Sequence, residues 1–157
     1  MRHVDTQQYV GLLRELIEEG KEVTFLVTGN SMSPFLIHER DTVFLRKPGR
    51  LLNRGDIVFY RRESGQYILH RIVHVNSDGS YDMIGDNQTE IEKQVRRDQV
   101  FALVCRVRRK GKILTAETFW WKFFAGPWLD LIPLRHVIVK MYSMVRKQVK
   151  DGSEKSV

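Results

Sequence analysis

The sequence predicts a mainly β fold with flanking helices, built on an antiparallel sheet, and three observations lead there. Short β-rich runs crowd residues 22–108. Turn signals separate them at intervals too short for the crossover helices that parallel pairing requires. On both sides of this stretch the apolar spacing changes to the helical period.

The first element is an amphipathic helix over residues 5–19. Tyr9, Leu12, Leu13, Leu16 and Ile17 follow the i, i+3, i+4, i+7, i+8 spacing that lines one helical face. Asp5 with Gln8 forms a capping-box pattern, and Gly20 can take the left-handed conformation that ends a helix. The β runs follow at residues 23–27, 42–45, 56–60, 67–75, 81–84 and 100–107, punctuated by turn signals at 47–49, 54–56, 63–65, 77–79 and 85–87. Past Gly111 the chain becomes aromatic and basic. Phe119, Trp120, Trp121, Phe123, Phe124 and Trp128 cluster ahead of a second amphipathic helix, in which Leu134, Val137, Ile138, Met141, Met144 and Val145 share one face and Arg135, Lys140, Arg146, Lys147 and Lys150 supply the charge. Residues 151–157 are expected to fray. The chain thus divides into a unit at 1–116, which joins the first helix to the sheet, and an amphipathic basic extension at 117–157.

A chain of 157 residues can bury one real core, and its 42% hydrophobic and 29% charged content fits a globular protein rather than a disordered chain or a membrane bundle. The net charge of +7 is unevenly spread. Residues 1–100 hold 14 Lys/Arg against 15 Asp/Glu, whereas residues 101–157 hold 12 against 4. A neutral body with a basic tail points to an anionic partner for the tail. With its aromatics, the segment 117–150 is expected to lie at an anionic membrane surface; the competing expectation is that its aromatic face packs on the sheet. No stretch reaches the length of a membrane span, and the N-terminus lacks the pattern of a cleavable signal. The one cysteine, Cys105, sits in an apolar run and has no intramolecular partner, so it is expected in the core of a protein that works in a reducing, cytoplasmic compartment, at the inner face of the membrane.

Three places carry chemistry. Gly29-Asn30-Ser31-Met32-Ser33-Pro34 follows a strand, and its glycine and proline set a sharp turn that presents Ser31 at an edge. A serine hydroxyl becomes nucleophilic only when a base takes its proton. The base candidates interrupt the apolar run at 67–75: His70, next to Arg71, and His74, which periodicity places on the same strand face. An acid, Asp86, stands in the turn Gly85-Asp86-Asn87, where a third member of a triad could orient a histidine. Neither a cofactor nor a metal is implied.

The blocks Ser31-Met32-x-Pro34, Gly55-Asp56-Ile57-Val58, His70-Arg71-Ile72-Val73 and Gly85-Asp86-Asn87, in this order, resemble the signal-peptidase superfamily shared with LexA-like repressors. More narrowly they resemble its histidine-type branch, in a small form lacking the N-terminal membrane anchor. The resemblance covers about residues 22–108 and implies a serine peptidase domain within 1–116. It implies Ser31 as nucleophile, with its N–H in the oxyanion hole; His70 as general base; and Asp86 as the group that orients His70 or supports the site. Gly29 stands where many relatives have a second oxyanion donor. Asn30, Met32 and Pro34 shape the turn, and Asp56, Arg71, Gly85 and Asn87 support it. Only Lys21, Lys47 and Lys93 occur in the first 100 residues, none in the interrupted strand, so a histidine base fits better than a lysine. A histidine of ordinary pKa would give a rate rising between pH 6 and 8.

The expected activity is cleavage of a leader or signal segment from a peptide or preprotein. The alternatives are a LexA-type self-cleaving regulator or a non-catalytic peptide-binding member of the same fold. The helix at 5–19 has no room for a helix-turn-helix partner before the first strand, so nucleic acid is not expected as a partner.

Overall fold

The computed structural model describes the backbone of residues 6–154 and the side chains of residues 7–149. Asp5, the expected cap, lies outside them. Helix α1 (Thr6–Glu18) ends at Gly20, whose φ of +87° lets its N–H reach Ile17 O while Lys21 N–H reaches Leu16 O. This pair of bonds closes the helix as a Schellman motif. Val10, Leu13 and Ile17 are buried, whereas Leu12 is 59% exposed and Tyr9 and Leu16 are also exposed. The inward face is therefore turned from the expected one, toward Val10.

Eight strands follow: β1 (Val23–Leu26), β2 (Asp41–Arg46), β3 (Ile57–Arg61), β4 (Tyr67–Val75), β5 (Tyr81–Ile84), β6 (Glu92–Val95), β7 (Val100–Arg109) and β8 (Lys112–Leu114). They form an antiparallel sheet in the order β1-β2-β7-β3-β4-β5-β6, with β8 pairing β7. The expected runs all appear, together with β6 and β8, whose sequences lack the alternation that marks a half-buried strand. One face packs Phe25, Val43, Leu45, Phe59, Phe101 and Val107 under α1; the other packs Val58, Tyr60, Ile72, Tyr81, Met83 and Leu103.

After β8 come α2 (Phe119–Ala125), α3 (Pro127–Asp130), a 3-10 turn and the long α4 (Arg135–Glu154). The residues expected to fray thus begin as helix, through Glu154. The start of the extension is part of the core: Trp121, Phe124, Trp128 and Leu129 are buried, and the rings of Phe35 and Trp121 meet at 5.6 Å. Gly55, at φ +95°, lets the chain pass α2, since a Cβ there would lie 2.6 Å from Ala125 O. Two of the three tryptophans expected at headgroup depth are therefore core residues, and Phe119 and Trp120 remain exposed. From Val139 to Val149, α4 is exposed on every side. No helix among the described residues is long and apolar enough to cross a membrane.

Candidate functional site

Strand β4 passes its chain between two neighbours, and the change of neighbour makes the site. Residues 57–61 of β3 pair with Tyr67 to Arg71, but β5 pairs only with Arg71 to Val75. Along residues 67–70 the edge of β4 away from β3 has no strand partner among the described residues. The turn holding Ser31 and the loop after β5 come to this edge. Asn87 N–H donates to Ser31 O at 2.9 Å, and a side chain at residue 85 would collide with that same carbonyl, which explains why a glycine stands there.

Arg71 is the hub. It is fully buried and donates two hydrogen bonds, 2.9 and 2.8 Å, to the two oxygens of Asp86, and a third of 2.8 Å to Gly55 O. Its guanidinium lies 5.1 Å from the centre of the Phe35 ring, on the turn that follows Ser31. Three of the four sequence blocks, and the ring of the residue that follows the first, thus meet at one cation. A buried charge is tolerable only when paired and hydrogen-bonded, and here each of the three guanidinium nitrogens has a partner. Both Asp86 oxygens accept from Arg71, and among the described residues no hydrogen bond joins Asp86 to His70. Asp56 binds Arg50 at 2.8 and 2.9 Å and Asn53 N–H at 2.8 Å, holding the turn before β3.

His70 is 3% exposed and faces Tyr60, whose hydroxyl lies 3.4 Å from its Nδ1. The irregular pairing of β4 with β5 between Ile72 and His74 removes the equivalence that periodicity suggested. His74 is exposed and borders a separate hollow with Asn76 and Asp82. Burial, reinforced by the charge of Arg62 and opposed by Glu92, pushes the His70 imidazole down to about 4. The ring is therefore neutral at pH 7.

Around Ser31, the turn has the built character its sequence suggested. Gly29 has φ +85° and gives its N–H to His38 Nδ1 at 2.9 Å, so that N–H is already used. Asn30 O accepts from Ser33 N–H, Met32 is buried, and the Ser33–Pro34 peptide is cis. Among the described residues no hydrogen bond is made by the Ser31 hydroxyl or N–H. Ser31 lines a cavity of about 220 Å³ with Gly29, Met32, Ile68 and Leu69. His70 lines one of about 920 Å³ with Asp86, Asn87, Glu92, Trp128 and Arg135. Ser31 thus borders residues 68 and 69 of β4, His70 is the next residue along that strand, and among the described residues no hydrogen bond joins the two. A peptide lying along residues 67–70 would pass both.

Sequence reasoning missed the residues that brace this arrangement from the extension. Trp128 Nε1–H donates to Asp86 O at 2.8 Å; the buried Arg135 donates to Gly85 O at 3.1 Å and Gln88 O at 2.8 Å. It also missed Tyr60, Arg62 and Glu92. Nothing in the local pattern of 90–95 marks Glu92 as inward, although Tyr60 in an apolar strand is a polar tip in need of a partner. Cys105, expected in the core, is half-buried on β7; burial raises its thiol, which disfavours the reactive thiolate. No group of acidic, histidine or cysteine side chains suited to a metal occurs among the described residues.

Comparisons with curated proteins and with solved structures return no match. A comparison with known families matches residues 2–108 to the family described as Peptidase S24-like. The matched span covers more than half of the chain and carries every block that meets at Arg71, so the chain belongs to the Peptidase S24-like family and shares its serine-peptidase-like, LexA-like fold.

Proposed function

We propose that the protein is a serine endopeptidase in which Ser31 attacks the peptide carbonyl and His70 takes its proton, acting on a leader or signal segment of a peptide or preprotein. The observation that carries this reading is the unpaired edge of β4 at residues 67–70, which ends on a buried neutral histidine and runs past Ser31. A substrate strand added to such an edge gains main-chain hydrogen bonds, and side-chain pockets then select its residues. The cavity beside Ser31 offers a substrate side chain a place against Met32, Ile68 and Leu69, and the resemblance to the signal-peptidase superfamily points to small residues there. In free enzymes the nucleophile and base commonly close to hydrogen-bond distance only with substrate bound. The N–H of Ser31 is available to an oxyanion, and Asp86 serves the site by fixing Arg71. A LexA-type regulator and a non-catalytic peptide binder share this fold, and activity separates them. Incubated with a library of peptides carrying small residues, the protein is expected to cut at defined positions that Ser31→Ala abolishes; equal cleavage by that variant would refute the assignment.

The work is assigned to an anionic bilayer surface at the inner face of the membrane. On α4, Val137, Met141, Tyr142, Met144, Val145 and Val149 are exposed along one arc, with Lys140, Arg146 and Lys147 outside it. An apolar face with a basic reverse side is the pattern of a helix lying in the interface. Full-length protein is expected to co-sediment with phosphatidylglycerol vesicles at low salt, and Val137→Ser with Met141→Ser and Val145→Ser to lose binding. Undiminished binding by that variant would refute the role of α4.

A further inference from the structure

We infer that Tyr60 and Glu92 position His70, fixing its proton on Nδ1 so that Nε2 is left as the base. This inference rests on the Ser31–His70 reading. Tyr60 and His70 are buried, and the partly exposed Arg62 and Glu92 close the cluster around them. Arg62 donates from Nε to Glu92 Oε1 at 2.9 Å and from Nη2 to Glu92 Oε2 at 3.0 Å, and the Tyr60 hydroxyl donates to Glu92 Oε2. Burial alone would raise the Glu92 carboxyl, but the hydrogen bonds from Arg62 and Tyr60 outweigh it and hold the group below its usual range. Glu92 is therefore a carboxylate, which only accepts.

A phenol has one proton to give, and here it goes to Glu92. Tyr60 is fully buried, and burial, with Glu92 next, raises its hydroxyl far above neutrality, so it keeps that proton. Towards His70 Nδ1, at 3.4 Å, the phenolic oxygen can then act only as acceptor. The neutral imidazole must carry its proton on Nδ1, and its lone pair sits on Nε2. When Ser31 attacks, its proton passes to Nε2, and the imidazolium so formed faces a chain that ends in a carboxylate neutralised by Arg62. Tyr60 and Glu92 thereby take the orienting place that Asp86, committed to Arg71, does not fill.

The test reads the tautomer directly. In protein labelled with ¹⁵N-histidine at pH 7, His70 is expected to show a protonated Nδ1 and a bare Nε2; Tyr60→Phe should abolish that preference while the other histidines keep their signals. Glu92→Gln should move the His70 titration to still lower pH, since it removes the one group that favours the charged ring. If Tyr60→Phe fails to fold, Glu92→Gln, on a partly exposed strand, carries the test. The rate at which Ser31 reacts with an alkyl fluorophosphonate should fall about 10–100-fold in either variant, as for groups that orient a functional histidine. A wild-type His70 protonated on Nε2, or unchanged tautomer and rate in both variants, would overturn the inference. Loss of the fluorophosphonate reaction in Ser31→Ala and His70→Ala with no change in Tyr60→Phe and Glu92→Gln would overturn it alone. The expected tautomer with full peptidase activity in Ser31→Ala would instead overturn the peptidase reading and leave the relay standing.

Discussion

Replacing His70 by glutamine should flatten the dependence of stability on pH between pH 7 and 5. In the folded protein the imidazole is held at about 4, against 6.5 for an exposed histidine. Across that window the unfolded chain binds a proton that the folded one refuses, so stability rises with pH and is lost as pH falls. At about 1.4 kcal/mol per pH unit the full interval amounts to roughly 3 kcal/mol, of which about 2 kcal/mol should appear between pH 7 and pH 5. The cause is desolvation first and Arg62 second, with Glu92 opposing; Asp86, Arg135, His136 and Lys140 line the same cavity and are unchanged in the variant. Urea unfolding of both proteins at pH 7, 6 and 5 gives the stability of each, and titrations elsewhere cancel in the difference. The gap between wild type and His70→Gln should change by about 2 kcal/mol across the window, against wild type at the acid end. Parallel curves would refute a buried neutral histidine. In activity, the same burial places the acid limb near pH 4: the fluorophosphonate rate should stay level from pH 7 to about 5.5, and a midpoint near 6.5 would contradict the geometry.

Four further outcomes follow from the site. His70→Ala should lower peptidase activity by about 10²–10⁴-fold, whereas His74→Ala, exposed and outside the site, should leave it unchanged; the opposite pattern in a cleavage assay would move the base to His74. Asp86→Asn leaves Arg71 buried without its counter-charge and should cost about 3–5 kcal/mol in urea unfolding; a loss below 1 kcal/mol would show that the pair is not buried as described. Trp128→Phe removes the donor to Asp86 O and should cost about 1–3 kcal/mol. Deleting 117–157 strips Trp121, Phe124, Trp128 and Leu129 from the core and should prevent folding, which circular dichroism would show; a folded, reactive truncation would make the extension a separable unit.

The amino-acid order by itself determined the fold class, because turn residues and alternation act locally: the expected strand runs at 23–27 through 100–107 each became strands at nearly those bounds. It also determined the blocks that meet at the site, since Gly29, Gly55 and Gly85 stand where a left-handed φ or a close backbone approach leaves no other choice. What only the tertiary structure decided is which side chains face one another. Periodicity put His70 and His74 on one face, and irregular pairing at β5 separated them. Its place in a turn and the family resemblance suggested Asp86 for the histidine, yet Arg71, one residue along β4 and thus on the opposite face, holds both carboxylate oxygens. Glu92 lies on a strand without alternation, and it reaches Tyr60 because β3 and β6 are brought together across β4 and β5. The aromatic run at 119–128 divides between core and surface according to where α2 meets Phe35 and Gly55. A local pattern records how each segment prefers to bend and which side it hides; the partner of a buried polar group is chosen by strand order and register, which depend on the whole sheet.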